Sequence, residues 1–203
     1  MRRRAPLLAA LRRSLEIDAS VRVLDLGGGT GALSEFLGHG SREVTVVEPS
    51  RRKVASGRRR RPQLRFVQTD AEHLPFEAGC FERVLSTMAY HHFQDPDRVL
   101  GETARVLTPA GRLVVADIDP TSSLGRRLRW FESSLLGRAH SFETRECVVA
   151  RLRAHRLTLA SEETIGPFYV VSAVRLQASA PDPARSDFAA AESVKDCHAV
   201  GPP

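Results

Sequence analysis

The stretch that most constrains this chain is Val23-Leu24-Asp25-Leu26-Gly27-Gly28-Gly29-Thr30-Gly31-Ala32-Leu33-Ser34, an apolar run that ends in an acid and opens at once into glycines. Val21, Val23, Leu24 and Leu26 predict a buried strand. Gly27, Gly29 and Gly31 let the backbone turn tightly and approach a ligand with no Cβ in the way, and Ala32 to Leu37 starts a helix. The amino end of a helix favours polar or anionic groups. A second apolar run, Val44 to Val47, ends in Glu48, seventeen residues after Gly31, where a carboxylate can accept hydrogen bonds from a ribose diol. A third acid, Asp70, follows the run Leu64 to Gln68.

Further motifs follow in order along the chain: Leu74-Pro75-Phe76, Phe81-Glu82-Arg83-Val84-Leu85-Ser86, His91-His92-Phe93, Asp95-Pro96, Leu107-Thr108-Pro109-Ala110-Gly111-Arg112-Leu113 and Val114-Val115-Ala116-Asp117. With Asp25-x-Gly27-x-Gly29-x-Gly31, Glu48 and Asp70-Ala71, this order resembles the class I S-adenosylmethionine-dependent methyltransferases, and within them the type 11, ubiquinone-biosynthesis-like group. The resemblance covers residues 20 to 120 and beyond that is one of element order alone. It implies an α/β fold: a Rossmann-like, doubly wound, mostly parallel seven-stranded sheet with a C-terminal antiparallel hairpin and helices on both faces. It implies S-adenosyl-L-methionine as cofactor, contacted by Asp25, Gly27, Gly28, Gly29, Gly31, Glu48, Asp70, Ala71 and Ser86. Asp25 and the glycine turn would hold the methionine end, Glu48 the ribose and Asp70 the adenine amino group.

A nicotinamide-dependent dehydrogenase is the competing reading of the same turn, because Gly27-Gly28-Gly29-Thr30-Gly31-Ala32 also satisfies a loose Gly-x-Gly-x-x-Ala pattern and Glu48 suits an NAD ribose. Asp25 argues against it. A carboxylate two residues before the first glycine attracts the ammonium of an amino-acid end and repels a pyrophosphate. The two lysines, Lys53 and Lys195, are not spaced after a tyrosine as hydride-transfer chemistry often requires.

At 203 residues, with apolar strands alternating with helical segments, the chain suits one α/β domain. The expected organisation is a methyltransferase domain over 1–177, comprising an N-terminal helix within 1–19, a cofactor-binding half over 20–120 and acceptor-side helices with a terminal hairpin over 121–177. The segment 178–203, rich in Ala, Pro, Ser and Asp, reads as a disordered tail. Cys80, Cys147 and Cys197 are odd in number and scattered, which fits neither a disulfide framework nor zinc, and a reducing cytoplasm is the expected location. Met1-Arg2-Arg3-Arg4 and the five residues Leu7 to Leu11 fall short of a signal-peptide core, and no run is long enough to span a bilayer. The net charge of +6 is carried almost wholly by arginine. Arg58-Arg59-Arg60-Arg61 can hold phosphates or anionic lipid, or can simply be a solvated helix end whose cations offset the helix dipole.

Leu7, Leu8, Leu11 and Leu15 predict an amphipathic helix over 4–16 that covers the sheet edge or the cofactor. Strands are expected near 21–26, 43–47, 64–68, 82–87 and 112–118, and a hairpin over Leu157 to Ile165 and Phe168 to Leu176. Asp95-Pro96 is a helix start, an acid at the cap with proline at the first helical position, and Pro109 stops that helix. Leu124 to Leu136 and Glu143 to Arg153 are two further helical stretches.

Methyl transfer is an in-line displacement that asks little of side chains beyond alignment and exclusion of water. The segment Ser86-Thr87-Met88-Ala89-Tyr90-His91-His92-Phe93, after the fourth strand, would face the methyl group. His91 and His92 are the general-base candidates, because imidazole titrates near neutrality. The plain alternative is a packed, hydrogen-bonded histidine, and neither has the spaced partner of a metal ligand, so no metal is expected. No Asn/Asp-Pro-Pro-Tyr/Phe follows the fourth strand and no Pro-Cys pair offers a nucleophile, so nucleic acid is not the expected acceptor and a small molecule or lipid-like compound is. Arg126, Arg127 and Arg129 beside Trp130 and Phe131 can clamp an anionic or aromatic acceptor, while Leu124, Leu128, Phe131 and Leu135 are more simply a core stripe with outward arginines. The short region before the first strand leaves the site open unless a partner closes it, a second copy of the chain among the candidates. A cofactor-binding sensor or partner subunit without catalysis is the rival of another class, and turnover discriminates the two.

Overall fold

The computed structural model describes residues 5–135 and 142–176, with the side chains of Arg129 and of residues 131–135 outside that description; the tail expected over 178–203 lies outside it as well. Seven strands form one sheet: β1 (Arg22–Leu26), β2 (Glu43–Val47), β3 (Arg65–Val67), β4 (Phe81–Thr87), β5 (Leu107–Ile118), β6 (Leu157–Ile165) and β7 (Phe168–Arg175). Their spatial order is β3-β2-β1-β4-β5-β7-β6. The first five are parallel, and β7 enters antiparallel between β5 and β6. The fold expected from sequence is the one observed. The chain walks outward from β1 to β3 and then returns to β4 on the other side of β1, so the carboxyl ends of β1 and β4 flank the point where strand order reverses. In open sheets of this kind, that crevice takes the ligand.

Six helices connect the strands: α1 (Ala5–Leu15), α2 (Ala32–Leu37), α3 (Arg51–Arg60), α4 (Pro96–Val106), α5 (Ser123–Leu135) and α6 (Arg145–Ala154). Strands buried on both faces need apolar residues at successive positions, as Val23-Leu24 and Leu113-Val114-Val115-Ala116 provide. On one face α1 and α2 pack Leu7, Leu11, Leu15 and Leu37 against Leu85, Val114, Ala116 and Val170, while Val54 of α3 packs with Val46 and Phe66. On the other, α4 and α6 pack Val99, Leu100, Val148 and Leu152 onto Leu24, Val84 and Val115. Each fully buried leucine of these layers contributes on the order of 2 kcal/mol.

Helix α1 lies over β4, β5 and β7 and reaches the edge strand β6, where Ile165 joins its leucine stripe and Arg13 pairs with Glu163. Two other expectations are corrected. Strand β5 begins at Leu107, where Leu107 pairs with Phe81, and the Thr108–Gly111 irregularity lies inside it; Ala110 takes a left-handed φ of 61°, which costs a non-glycine residue on the order of 1 kcal/mol. Leu124, assigned to a core stripe, is 43% exposed, and Phe131 and Leu135 of that stripe lie outside the described side chains. The start of α4 follows the sequence rule: the Asp95 side chain accepts from Arg98 N at 3.0 Å, with Pro96 at the first position.

Candidate functional site

The glycine turn leaves the end of β1 with φ of 71° at Gly27, 61° at Gly29 and 76° at Gly31, a left-handed conformation that side chains resist. Two of these glycines answer to neighbours as well. A Cβ at Gly27 would stand 2.6 Å from Ala89 Cβ, and one at Gly31 would stand 2.8 Å from Leu64 Cδ1. At Gly29 a Cβ would meet nothing closer than Lys53 Cδ at 4.0 Å, so open space lies above the turn. A ligand can approach the backbone there.

Asp25 and Glu48 are both buried beside this turn. Ser34 donates its hydroxyl to Asp25 Oδ2 at 2.6 Å, while Asp25 Oδ1 has no partner. Burial pushes the Asp25 carboxyl up to about 7, against a lowering by the Ser34 hydrogen bond and with a further push from the Glu48 charge. Glu48 braces the loop: its Oε2 accepts from Gly29 N at 3.1 Å and its Oε1 from Ser50 N at 3.0 Å, with Lys53 Nζ 3.5 Å from Oε2. Its partner is therefore Lys53 and the turn itself, not Arg51 or Arg52.

Asp70 stands after β3 with half its side chain exposed and pairs with His73 Nδ1 at 2.8 Å. Ala71 beside it is buried. Ser86 is buried at the end of β4, and its hydroxyl and that of Thr87 have no partner. Four buried side-chain polar atoms lack a partner among the described residues, and three of them, on Asp25, Ser86 and Thr87, sit at the carboxyl ends of β1 and β4. Leaving such groups unpaired costs about 1–3 kcal/mol each, and three of the four are concentrated at the crevice.

After β4, Met88 adopts a left-handed φ of 54° and the chain enters a single 3₁₀ turn, Tyr90–His92. That strained residue aims Ala89 at Gly27 and turns His91 inward, so the adjacent histidines part company: His91 is buried and His92 exposed. The His91 ring reaches the end of β5, where Nδ1 lies 2.7 Å from Asp117 Oδ1, and His91 N donates to Asp117 Oδ2 at 3.1 Å. Asp117 Oδ1 also accepts from Ile118 N at 2.7 Å. The Asp117 carboxylate thus fixes the orientation of the His91 ring. Phe142 stacks on His91 with centroids 4.6 Å apart and planes 10° apart. Next to it, Glu143 accepts from Arg151 Nε at 2.9 Å and from the Tyr90 hydroxyl at 3.5 Å, and Arg151 also pairs with Asp97. Burial, and after it the Glu143 charge, holds the Tyr90 phenol well above its usual range, so it stays a donor.

Sequence reasoning missed Asp117, Phe142 and Glu143. Asp117 carries the same signature that singled out Asp25 and Glu48, an acid closing an apolar strand. Phe142 and Glu143 carry none, since they act across 51 and 53 residues of sequence through the packing of α6. Of the cationic clamp proposed over Arg126–Phe131, Arg126 and Arg127 are exposed on α5, and Arg129 and Phe131 lie outside the described side chains.

Residues 24–115 match the family model of the type 11 methyltransferase domain. A demethylmenaquinone methyltransferase of Beutenbergia cavernae is 43% identical over 96 residues, which cover 47% of this chain and 40% of that protein. A phthiotriol/phenolphthiotriol dimycocerosates methyltransferase of Mycobacterium leprae is 36% identical over 99 residues, covering 49% of this chain and 37% of that protein. The matches thus span about two fifths of these relatives' lengths. Among solved structures, geranyl diphosphate C-methyltransferase of Streptomyces coelicolor, in complex with Mg2+, geranyl diphosphate and S-adenosyl-L-homocysteine, superposes with a TM-score of 0.71 at 17% identity over 85% of this chain and 79% of that one. That likeness speaks for the fold.

Proposed function

We propose that this chain, whose residues 24–115 match the methyltransferase domain model, binds S-adenosyl-L-methionine and moves its methyl group to an oxygen, nitrogen or carbon atom of a small, lipid-like acceptor. The observation that carries the cofactor assignment is the unpartnered Asp25 Oδ1, buried beside an open glycine turn. An ammonium fits that oxygen; a pyrophosphate there would be repelled. Asp25 holds the amino-acid end, the Gly27–Gly31 backbone lines the crevice, Glu48 accepts from the ribose hydroxyls and Asp70 from the adenine amino group. The bound sulfonium supplies the activated methyl.

The chain's own contribution to the reaction is alignment and, where the acceptor must lose a proton, a base. His91 takes that proton on its imidazole while Asp117, 2.7 Å from Nδ1, fixes the plane of the ring. His92, exposed and without that buried carboxylate, is the weaker candidate. The relatives that act on demethylmenaquinone and on phthiotriol dimycocerosates support a quinone- or lipid-like acceptor class. The burial of His91 under Phe142 favours a second reading, a cofactor-binding protein that does not transfer methyl groups. Labelled cofactor incubated with the protein and a fractionated lipid extract separates the two. Label in a lipid fraction supports transfer, and binding without label in any fraction supports the sensor. The cofactor assignment has its own test: S-adenosylmethionine raises the melting temperature and NAD does not, and Gly29→Val abolishes the shift because it strains a φ of 61° and fills the space above the turn.

A further inference from the structure

Helix α3 and the residue that caps it, Arg51 to Arg61, hold Arg51, Arg52, Lys53, Arg58, Arg59, Arg60 and Arg61 with no acid, while the whole chain has a net charge of +6. Seven cations in eleven residues with no acid make α3 a densely cationic helix. Three of the cations occupy the first turn, which holds no acid of its own, at the end where the helix dipole disfavours positive charge. The C-terminal cations offset the dipole; the first-turn cations work against it. Two of the seven are engaged with acids, Lys53 with Glu48 and Arg61 with Glu35, and Arg58 donates to Phe66 O at 2.9 Å. The guanidinium groups of Arg51, Arg52, Arg59 and Arg60 are exposed and make no hydrogen bond or ion pair among the described residues. Val54 and Gly57 face the sheet, so Arg52 and Arg59 stand on the outward side about 10 Å apart along the axis, with Arg51 and Arg60 on its two flanks.

We propose that the outer face of α3 docks the protein on an anionic lipid surface. Charge complementarity selects an anionic partner, and the composition of the face selects lipid over nucleic acid. It carries no aromatic side chain on which a base can stack, whereas Phe36 of α2, on the same side of the sheet, is 45% exposed with Arg12 above its ring. Arg51 follows the Glu48–Ser50 bracket by one residue, so the docked edge is the rim of the cofactor crevice, where an acceptor carried in the lipid would be delivered. That delivery role rests on the lipid-like acceptor proposed above; docking itself does not.

Cosedimentation of the full chain, without cofactor or acceptor, with vesicles of phosphatidylcholine and of an equimolar mixture with phosphatidylglycerol tests the docking alone. Binding is expected to the anionic vesicles only and to fall steeply as salt is raised. Each of Arg51→Gln, Arg52→Gln, Arg59→Gln and Arg60→Gln weakens it about fivefold, and the four together by more than about a hundredfold. The pair Arg59→Gln and Arg60→Gln, distant from the crevice, serves if the fourfold variant does not fold, with circular dichroism as the check on folding. Equal partitioning to neutral vesicles, undiminished binding by either folded variant, or tighter binding to double-stranded DNA or RNA than to anionic vesicles at matched salt would overturn the proposal. Loss of methyl transfer with docking intact would count against the acceptor reading and leave the surface standing.

Discussion

Two groups of buried polar residues along the crevice satisfy their hydrogen bonds in opposite ways. At the ends of β1 and β4, Asp25 Oδ1 and the Ser86 and Thr87 hydroxyls are left without a partner, and the Asp25 carboxyl is held up at about 7. After β4 and at the end of β5, His91 pairs with Asp117 and Tyr90 with Glu143, so every member of the second group has a hydrogen bond. An unpaired buried charge is costly and persists where a ligand repays it; a saturated network holds side chains in one geometry and persists where orientation matters. The first group suits binding and the second positioning.

The largest expected effect separates those roles. His91→Asn keeps an amide donor toward Asp117 and removes the acceptor nitrogen, so turnover falls on the order of a hundredfold to ten-thousandfold while the affinity for S-adenosylmethionine, measured by calorimetry, stays within about twofold. Loss of cofactor affinity instead would merge the two groups into one binding site. Asp25→Asn is expected to act the other way. Removing one partner of a buried ion pair costs about 3–5 kcal/mol, so affinity falls by roughly a hundredfold or more.

The same carboxyl makes a statement about pH. Its folded value, about 7, lies above the ordinary 3.8, so the folded empty protein holds a proton that the unfolded chain releases. This stabilisation is complete below about 3.8 and is lost as pH rises through about 7, where the ionised, unpaired carboxylate weighs against folding by roughly 4 kcal/mol at most. Asp25→Asn should therefore raise the melting temperature of the empty protein most at pH 8, by less than half as much at pH 5, and scarcely at all below about 3.8. Cofactor affinity, which needs the ionised carboxylate, should climb with pH up to about 7 and level off above it. A flat affinity from pH 5.5 to 8 would show that no ammonium pairs with Asp25.

Glu48→Gln comes next, at about tenfold in cofactor affinity for loss of a charged acceptor. Because Glu48 also accepts from Gly29 N and Ser50 N, and an amide offers only one oxygen, the empty protein should lose about 1–2 kcal/mol, read as a few degrees in melting temperature. Unchanged stability would mean that the loop does not need its brace. Asp70→Asn should have the smallest effect, at most about threefold in affinity, since its half-exposed carboxylate already pairs with His73 through solvent-screened contact.

Much of this was legible without coordinates. All seven strands, the glycine turn, the Asp95-Pro96 helix start and the terminal hairpin follow from local rules: apolar runs of strand length, residues that permit φ above zero, and side chains that cap a helix. The acids Asp25 and Glu48 were legible for the same reason, since a parallel sheet places the residue that closes each strand at one common end. Local periodicity did not say where an amphipathic helix lands. The stripe of α1 specified that the helix must bury Leu7, Leu11 and Leu15, and only the exposed apolar patch of β4, β5 and β7 decided where.

The sequence by itself determined the order of elements, the glycine turn and the carboxylates along the strand ends, because each rests on conformational preferences spanning fewer than about ten residues. The tertiary structure alone decided which of two adjacent histidines turns inward, that Asp117 receives it 26 residues later in the chain, and that Phe142 and Glu143 close over it. It also decided which carboxylate oxygen goes unpaired. Hydrogen-bond partners and desolvation are properties of the space a residue shares with distant segments. That space exists only once β4, β5 and α6 have packed.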